Sequence, residues 1–148
     1  MPDLDFAQLR DDLKRDEGWR AHAYQDTLGY WTIGYGFLVD ERKGGGLPQH
    51  IGDKWLYSLI SKTVDELDSR IPWWKNQPEE VQRALVNMAY QLGVNGLLRF
   101  NNMLGALRDG RREEAALHAL DSRWASQTPN RARRVAALIG GYDENAAD

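Results

Sequence analysis

Two carboxylates and a hydroxyl fall in one short stretch, and two carboxyl groups are of the type that can break an acetal. Glu17, Asp26 and Thr32 follow one another as Glu-x8-Asp-x5-Thr within residues 16–36. Two facing carboxyl groups can cleave a glycosidic bond, one protonating the leaving oxygen while the other acts on water. Glu17 stands at the expected end of a helix, where the partial negative charge of the last carbonyls and the neighbouring Asp16 both favour its protonated form. Asp26 falls in a turn, Gln25-Asp26-Thr27-Leu28-Gly29, where a carboxylate stays solvated and ionised. A Glu/Asp pair alone is weak evidence, since most such pairs lie on solvated surface.

The elements around these residues have to place them. Phe6, Leu9 and Leu13 recur at helical spacing, with Asp5 or Asp3 as N-cap, and Gly18 ends the helix near Asp16 or Glu17. After the turn, Tyr30 to about Val39 reads as a short strand or hairpin. Trp31, Ile33, Tyr35 and Phe37 share one bulky face suited to a core; Thr32, Gly34, Gly36 and Leu38 share a nearly bare face that a ligand can approach. Arg42 to Pro48 is a flexible loop. Trp55, Leu56, Leu59, Ile60, Val64 and Leu67 then make a stripe on a long helix ending at Arg70 before Ile71-Pro72. Further helices are expected from Pro78 to Gly93, near residues 102–109, over 112–121, and from the cap Thr128-Pro129 to Gly140. The tail from Tyr142 to Asp148 is acidic and expected to fray.

Composition sets the outer bounds. The 148 residues suit one domain, and 42% hydrophobic with 28% charged residues is globular composition. There is no cysteine, hence no disulfide framework, thiol nucleophile or Cys-ligated metal. His22, His50 and His118 lie too far apart for metal-ligand spacing, so no metal or other cofactor is expected. Gly44-Gly45-Gly46 lacks the Lys-Ser/Thr of a phosphate loop. Residues 99–134 carry eight arginines against four acids. They read either as solvated helix faces paired with their own acids or as a surface for an anionic polymer. The start, Met1-Pro2-Asp3-Leu4-Asp5, has no basic region or apolar core of a secretory signal, and no apolar run is long enough to span a bilayer.

Three blocks in order carry a family resemblance: residues 16–36; Val86-Asn87-Met88-Ala89-Tyr90-Gln91-Leu92-Gly93; and Ser122-Arg123-Trp124 with Gln127-Thr128-Pro129-Asn130-Arg131-Ala132. The chain resembles the phage-type lysozymes, muramidases of glycoside hydrolase family 24. The resemblance implies an α+β, mostly helical, lysozyme-like fold over 1–148. A small lobe of about 17–55 with a short β-hairpin is joined by a linking helix of about 52–70 to a helical lobe of about 72–140, packed with the N-terminal helix.

It further implies that Glu17 is the general acid on the β-1,4 bond between N-acetylmuramic acid and N-acetylglucosamine. Asp26 orients or deprotonates the attacking water, Thr32 helps hold it, and the anomeric configuration inverts. Arg131 is implied to support the acid. Leu38, Tyr90, Met103 and His118 are implied to contact the saccharide, with Met103 and His118 departing from the serine and asparagine familiar there. Trp124 and Gln91 look like a buried supporting pair. Phe37 stands where a histidine is familiar, so apolar packing is expected to replace a polar link.

The function implied is that of an endolysin acting on bacterial peptidoglycan. It would be a monomer made in the host cytoplasm and released through a holin pore, without nucleic acid or stable membrane insertion. Two alternatives remain: a lytic transglycosylase, and a non-catalytic wall-binding or tail component. A nucleic-acid-binding module is the weakest, for want of a docking motif.

Overall fold

The computed structural model describes residues 3–145, so the expectations for Met1-Pro2 and for the end of the acidic tail fall outside it. Contacts gather the chain into two compact units, Met1–Trp55 and Leu56–Asp148.

The first unit opens with α1, Phe6–Glu17, capped by Asp5, whose carboxylate accepts from the Gln8 N–H at 3.0 Å. Gly18 closes it, donating to the Lys14 carbonyl at 3.0 Å. A three-stranded antiparallel sheet follows in the order β1 (Arg20–Gln25), β2 (Trp31–Gly34), β3 (Phe37–Leu38). Of the strand or hairpin expected from Tyr30 to about Val39, the structure has the hairpin, β2 and β3 with a turn at Tyr35-Gly36. Gly34 and Gly36, at φ +69° and +68°, adopt the left-handed backbone this tight reversal needs. The reversal also changes which face is covered. Thr32 on the central strand is 6% exposed, whereas Trp31, on the bulky face expected to form a core, is 37% exposed. Phe37 packs its ring over Gly34, where a Cβ would lie 2.6 Å from Phe37 Cδ2, and meets Tyr35 edge-on at 6.1 Å. The loop beyond β3 is more ordered than its glycines suggested, because Asp40 gathers its backbone.

α2, Gln49–Arg70, begins in the first unit and continues into the second. Its start is three residues earlier than the linking helix expected from about 52. Pro48 accounts for this, its carbonyl accepting from the N–H groups of Ile51 and Gly52 at 3.1 and 3.0 Å. A 3₁₀ turn, Pro72–Asn76, follows. Trp74 donates from Nε1 to Asp68 Oδ1 at 2.9 Å, and Lys75 pairs with Asp68 Oδ2 at 3.0 Å, fixing the turn against the end of α2.

The second unit contains α3 (Glu79–Leu98), α4 (Asn101–Arg108), α5 (Arg112–Leu120), α6 (Arg123–Gln127) and α7 (Pro129–Gly140). The break expected at Gly93 is present, at φ 76° and ψ 158°, but helix resumes to Leu98. Val81, Leu85 and Met88 recur at helical spacing on α3 and are wholly buried. They join Leu67, Leu97, Leu107, Val135 and Ile139 in the core, each large side chain contributing roughly 1.5–3 kcal/mol of burial free energy. Arg112 at the start of α5 ties three helices. It donates to the Ile139 and Leu138 carbonyls of α7 at 2.9 and 3.0 Å and to Glu80 of α3 at 2.9 Å. Thr128 precedes α7 as expected, but its hydroxyl donates back to the Trp124 carbonyl at 2.9 Å and caps no N–H of α7. The architecture is α+β, mostly helical and lysozyme-like. No helix among the described residues is long and apolar enough to cross a membrane.

Candidate active site

Sheet register assembles the recess in the first unit. Residues 26 to 30 form the reversal between β1 and β2, closed by the Asp26 N–H to the Tyr30 carbonyl at 2.8 Å and the Gly29 N–H to the Asp26 carbonyl at 3.0 Å. The pairing that follows sets Tyr24 opposite Thr32, and the β2–β3 pairing sets Thr32 opposite Leu38. Partners directly opposite in an antiparallel sheet share a face. Tyr24, Thr32 and Leu38 thus form one row across three strands, and all three line an open recess of about 510 Å³.

Glu17, Asp26, Tyr30, Gly36 and Glu41 complete that lining. Glu17 is the last residue of α1, and its carboxyl group rests against Gly36. A Cβ on that glycine would lie 3.0 Å from Glu17 Cδ and closer still to Oε2. The bareness of the strand at Gly36 is therefore room for the acid.

Asp26 uses one oxygen for structure. Its Oδ1 accepts from the backbone N–H groups of Leu28 and Tyr30, each at 2.9 Å. Its Oδ2 has no hydrogen-bond partner among the described residues and keeps its acceptor capacity for a molecule in the recess. The Thr32 hydroxyl makes a long bond to the Tyr30 carbonyl at 3.3 Å, which leaves it ready to exchange that contact for a better one. Asp16, beside the acid in sequence, pairs with Arg15 at 3.1 Å.

Of the residues tied to this chemistry by sequence, Glu17, Asp26, Thr32 and Leu38 meet in one recess. The others lie in the second unit. Tyr90 and Arg131 share a recess of about 460 Å³ with Asn87, whose side-chain oxygen accepts from Arg131 Nε at 2.8 Å. Met103 and His118 share another of about 380 Å³. Met103 is 1% exposed and belongs to the core, while His118 lies 3.5 Å from Glu114. Trp124 is buried and donates to Gln91 at 2.8 Å, so the expected pair is formed, but Gln91 is exposed and only half of the pair is buried. Half of the eight arginines of residues 99–134 have side-chain partners among the described residues: Arg111 with Asp109 and Glu114, Arg112 with Glu80, Arg131 with Asn87 and Arg133 with Asn130. No cluster of His, Asp or Glu among the described residues is suited to hold a metal ion.

Sequence reasoning missed Tyr24, Tyr30 and Glu41. The signal for Tyr24 was present, since a turn centred on Thr27–Gly29 brings residue 24 opposite residue 32. Glu41 had no such signal, because a loop has no periodicity.

Comparison with known proteins matches residues 14–139 to the sequence model of the phage lysozyme family. The chain is 33% identical, over 93% of its length, to the pre-baseplate central spike protein Gp5 of Enterobacteria phage T4, covering 28% of that protein. It is 31% identical, over 90% of its length, to a Dictyostelium discoideum protein described as "Probable T4-type lysozyme 1", covering 94% of it. It is 27% identical, over 86% of its length, to peptidoglycan hydrolase gp36 of Pseudomonas phage phiKMV, covering 14% of it.

Proposed function

The chain belongs to the phage lysozyme family, and on that premise we propose that it hydrolyses the β-1,4 bond between N-acetylmuramic acid and N-acetylglucosamine in peptidoglycan. The observation that carries this reading is the recess holding Glu17, Asp26 and Thr32 together, with a different attachment for each.

Glu17 acts as general acid. Held between the end of α1 and Gly36, it donates its proton to the glycosidic oxygen as the bond breaks. Asp26 acts on the water. With Oδ1 fixed by two backbone N–H groups, Oδ2 receives the water's proton as its oxygen attacks the anomeric carbon, and the Thr32 hydroxyl steadies that water. Attack on the face opposite the leaving group inverts the configuration.

Leu38 offers the sugar an apolar contact beside Thr32. Tyr90, His118 and Met103 are carried as further saccharide contacts, and Arg131 as the support of the acid, on the strength of the family resemblance. The protein would act as a monomeric endolysin on the cell wall, reaching it through a holin pore.

Product analysis on purified peptidoglycan tests the proposal. Wild type should release reducing N-acetylmuramic acid ends, and Glu17→Gln should release none above background. An anhydro-sugar product would instead identify a lytic transglycosylase. Absence of product from wild type and variant alike would leave the non-catalytic reading, and full activity in Glu17→Gln would overturn Glu17 as the acid.

A further inference from the structure

The recess contains one more carboxylate, Glu41. It sits in the polar segment after β3, beside Arg42 and Lys43, and the residue before it sets its place. Asp40 Oδ1 accepts from the Arg42 N–H at 3.0 Å; Oδ2 accepts from the Gly46 N–H at 3.1 Å and from Arg42 Nη2 at 2.7 Å. The Gly45 N–H closes the same turn on the Arg42 carbonyl at 3.1 Å. Gly45 lies so near Asp40 that a Cβ there would stand 2.7 Å from the Asp40 Cβ. These bonds, chiefly those from Arg42, hold the Asp40 carboxyl well below the usual carboxylate range, so the turn stays tied wherever the enzyme works. On the other side, the Val39 N–H donates to the Trp31 carbonyl at 3.0 Å and continues the β2–β3 pairing.

Glu41 is thus carried between a strand end and a closed turn. The adjoining cation, Arg42, is engaged by Asp40, and Glu41 itself makes no hydrogen bond or ion pair among the described residues.

We propose that Glu41 is a substrate-binding residue, its carboxylate accepting a hydrogen bond from a hydroxyl or amide N–H of the glycan in the recess, and that Asp40 positions it. Amino-sugar rings present O–H and N–H donors around their rims, and a carboxyl oxygen with no protein partner is the group that meets them. Such a charge-assisted bond strengthens binding equally before and during bond cleavage, so it acts on KM and not on kcat. The inference rests on the recess being the muramidase site proposed above.

Steady-state kinetics on purified peptidoglycan, with thermal unfolding of each variant, test it. Glu41→Ala should raise KM roughly ten- to a hundredfold, the worth of a hydrogen bond to a charged group, with kcat and melting temperature unchanged. Glu41→Gln should fall between wild type and Glu41→Ala, because its amide oxygen still accepts. Asp40→Asn should raise KM in the same direction with kcat retained. An unchanged KM in Glu41→Ala, or a fall in kcat at constant KM, overturns the role of Glu41. An unchanged KM in Asp40→Asn overturns its positioning by Asp40. Full activity of Glu17→Gln in the same assay would instead overturn the assignment of the recess itself.

Discussion

The carboxyl group of Glu17 and the α-carbon of Gly36 occupy adjoining space with no room for a methyl group between them. The end of a helix and a turn of the sheet meet at this one contact, and it sets where the Glu17 carboxyl group lies.

Gly36→Ala should therefore injure both chemistry and fold. The new Cβ would displace Glu17, and a displacement on the order of 1 Å can cost about a hundredfold in rate. Placing alanine at φ +68° adds about 1–2 kcal/mol of backbone strain. Lysis rates and thermal unfolding check the two effects separately; unimpaired lysis would mean that Gly36 does not place the acid.

Asp26→Asn keeps an oxygen to accept from Leu28 and Tyr30 but can no longer take a proton from water. The rate should drop on the order of 10²- to 10⁴-fold, the usual contribution of a general base, while the melting temperature stays close to wild type. Asp26→Ala should lose the same activity and also stability, because the turn loses its acceptor. Equal stability of the two variants would contradict the structural task assigned to Oδ1.

Met103 is core by packing. Met103→Ala should cost about 2–5 kcal/mol, the range for truncating a buried methionine, read by urea denaturation. A variant as stable as wild type would contradict the core packing of Met103.

Acid should weaken the second unit through two paired carboxylates. Asp68 is held below its ordinary value of 3.8 by Lys75 and then Trp74, and Glu80 below its value of 4.5 chiefly by Arg112. A carboxylate whose folded pKa is depressed stabilises the fold above its unfolded pKa. That contribution disappears as the pH falls through the folded value. The melting temperature of wild type should thus decline from about pH 4.5 downward, and Asp68→Asn with Glu80→Gln should show a shallower decline. Parallel curves for wild type and the double variant would refute the assignment.

The sequence was most legible where single residues punctuate the chain. Gly18 ends α1, Asp5 caps it, and Pro129 and Gly140 bound α7 as read from their types. Glu17 and Asp26 could be singled out from a helix end and a turn, whereas Thr32 joined them as one set only through the family resemblance. The choice between one strand and a hairpin over Tyr30 to Val39 stayed open because large and small residues go on alternating through the reversal at Tyr35-Gly36, so parity alone cannot tell one strand from two. α6 is only five residues, too short for a helical period to show. The order of the Arg42–Pro48 loop depends on one side chain, Asp40, acting on backbone groups up to six residues away, and no local pattern announces such a bond. Met103 was placed by resemblance, which carries over a position without its surroundings.

The row Tyr24, Thr32, Leu38 and the turn at Asp26 are built from neighbours in the chain, and Glu17 and Glu41 lie just outside them. Contacts between residues this close in sequence require only short loops to close. The residues lining the recess of the first unit can therefore be inherited as one uninterrupted passage. A recombination joint on either side of that passage would leave it intact, and the matched region accounts for 28% of one relative and 94% of another. Evolution can transplant such a passage whole into much longer polypeptides, and the surrounding helices can diverge without disturbing its spelling.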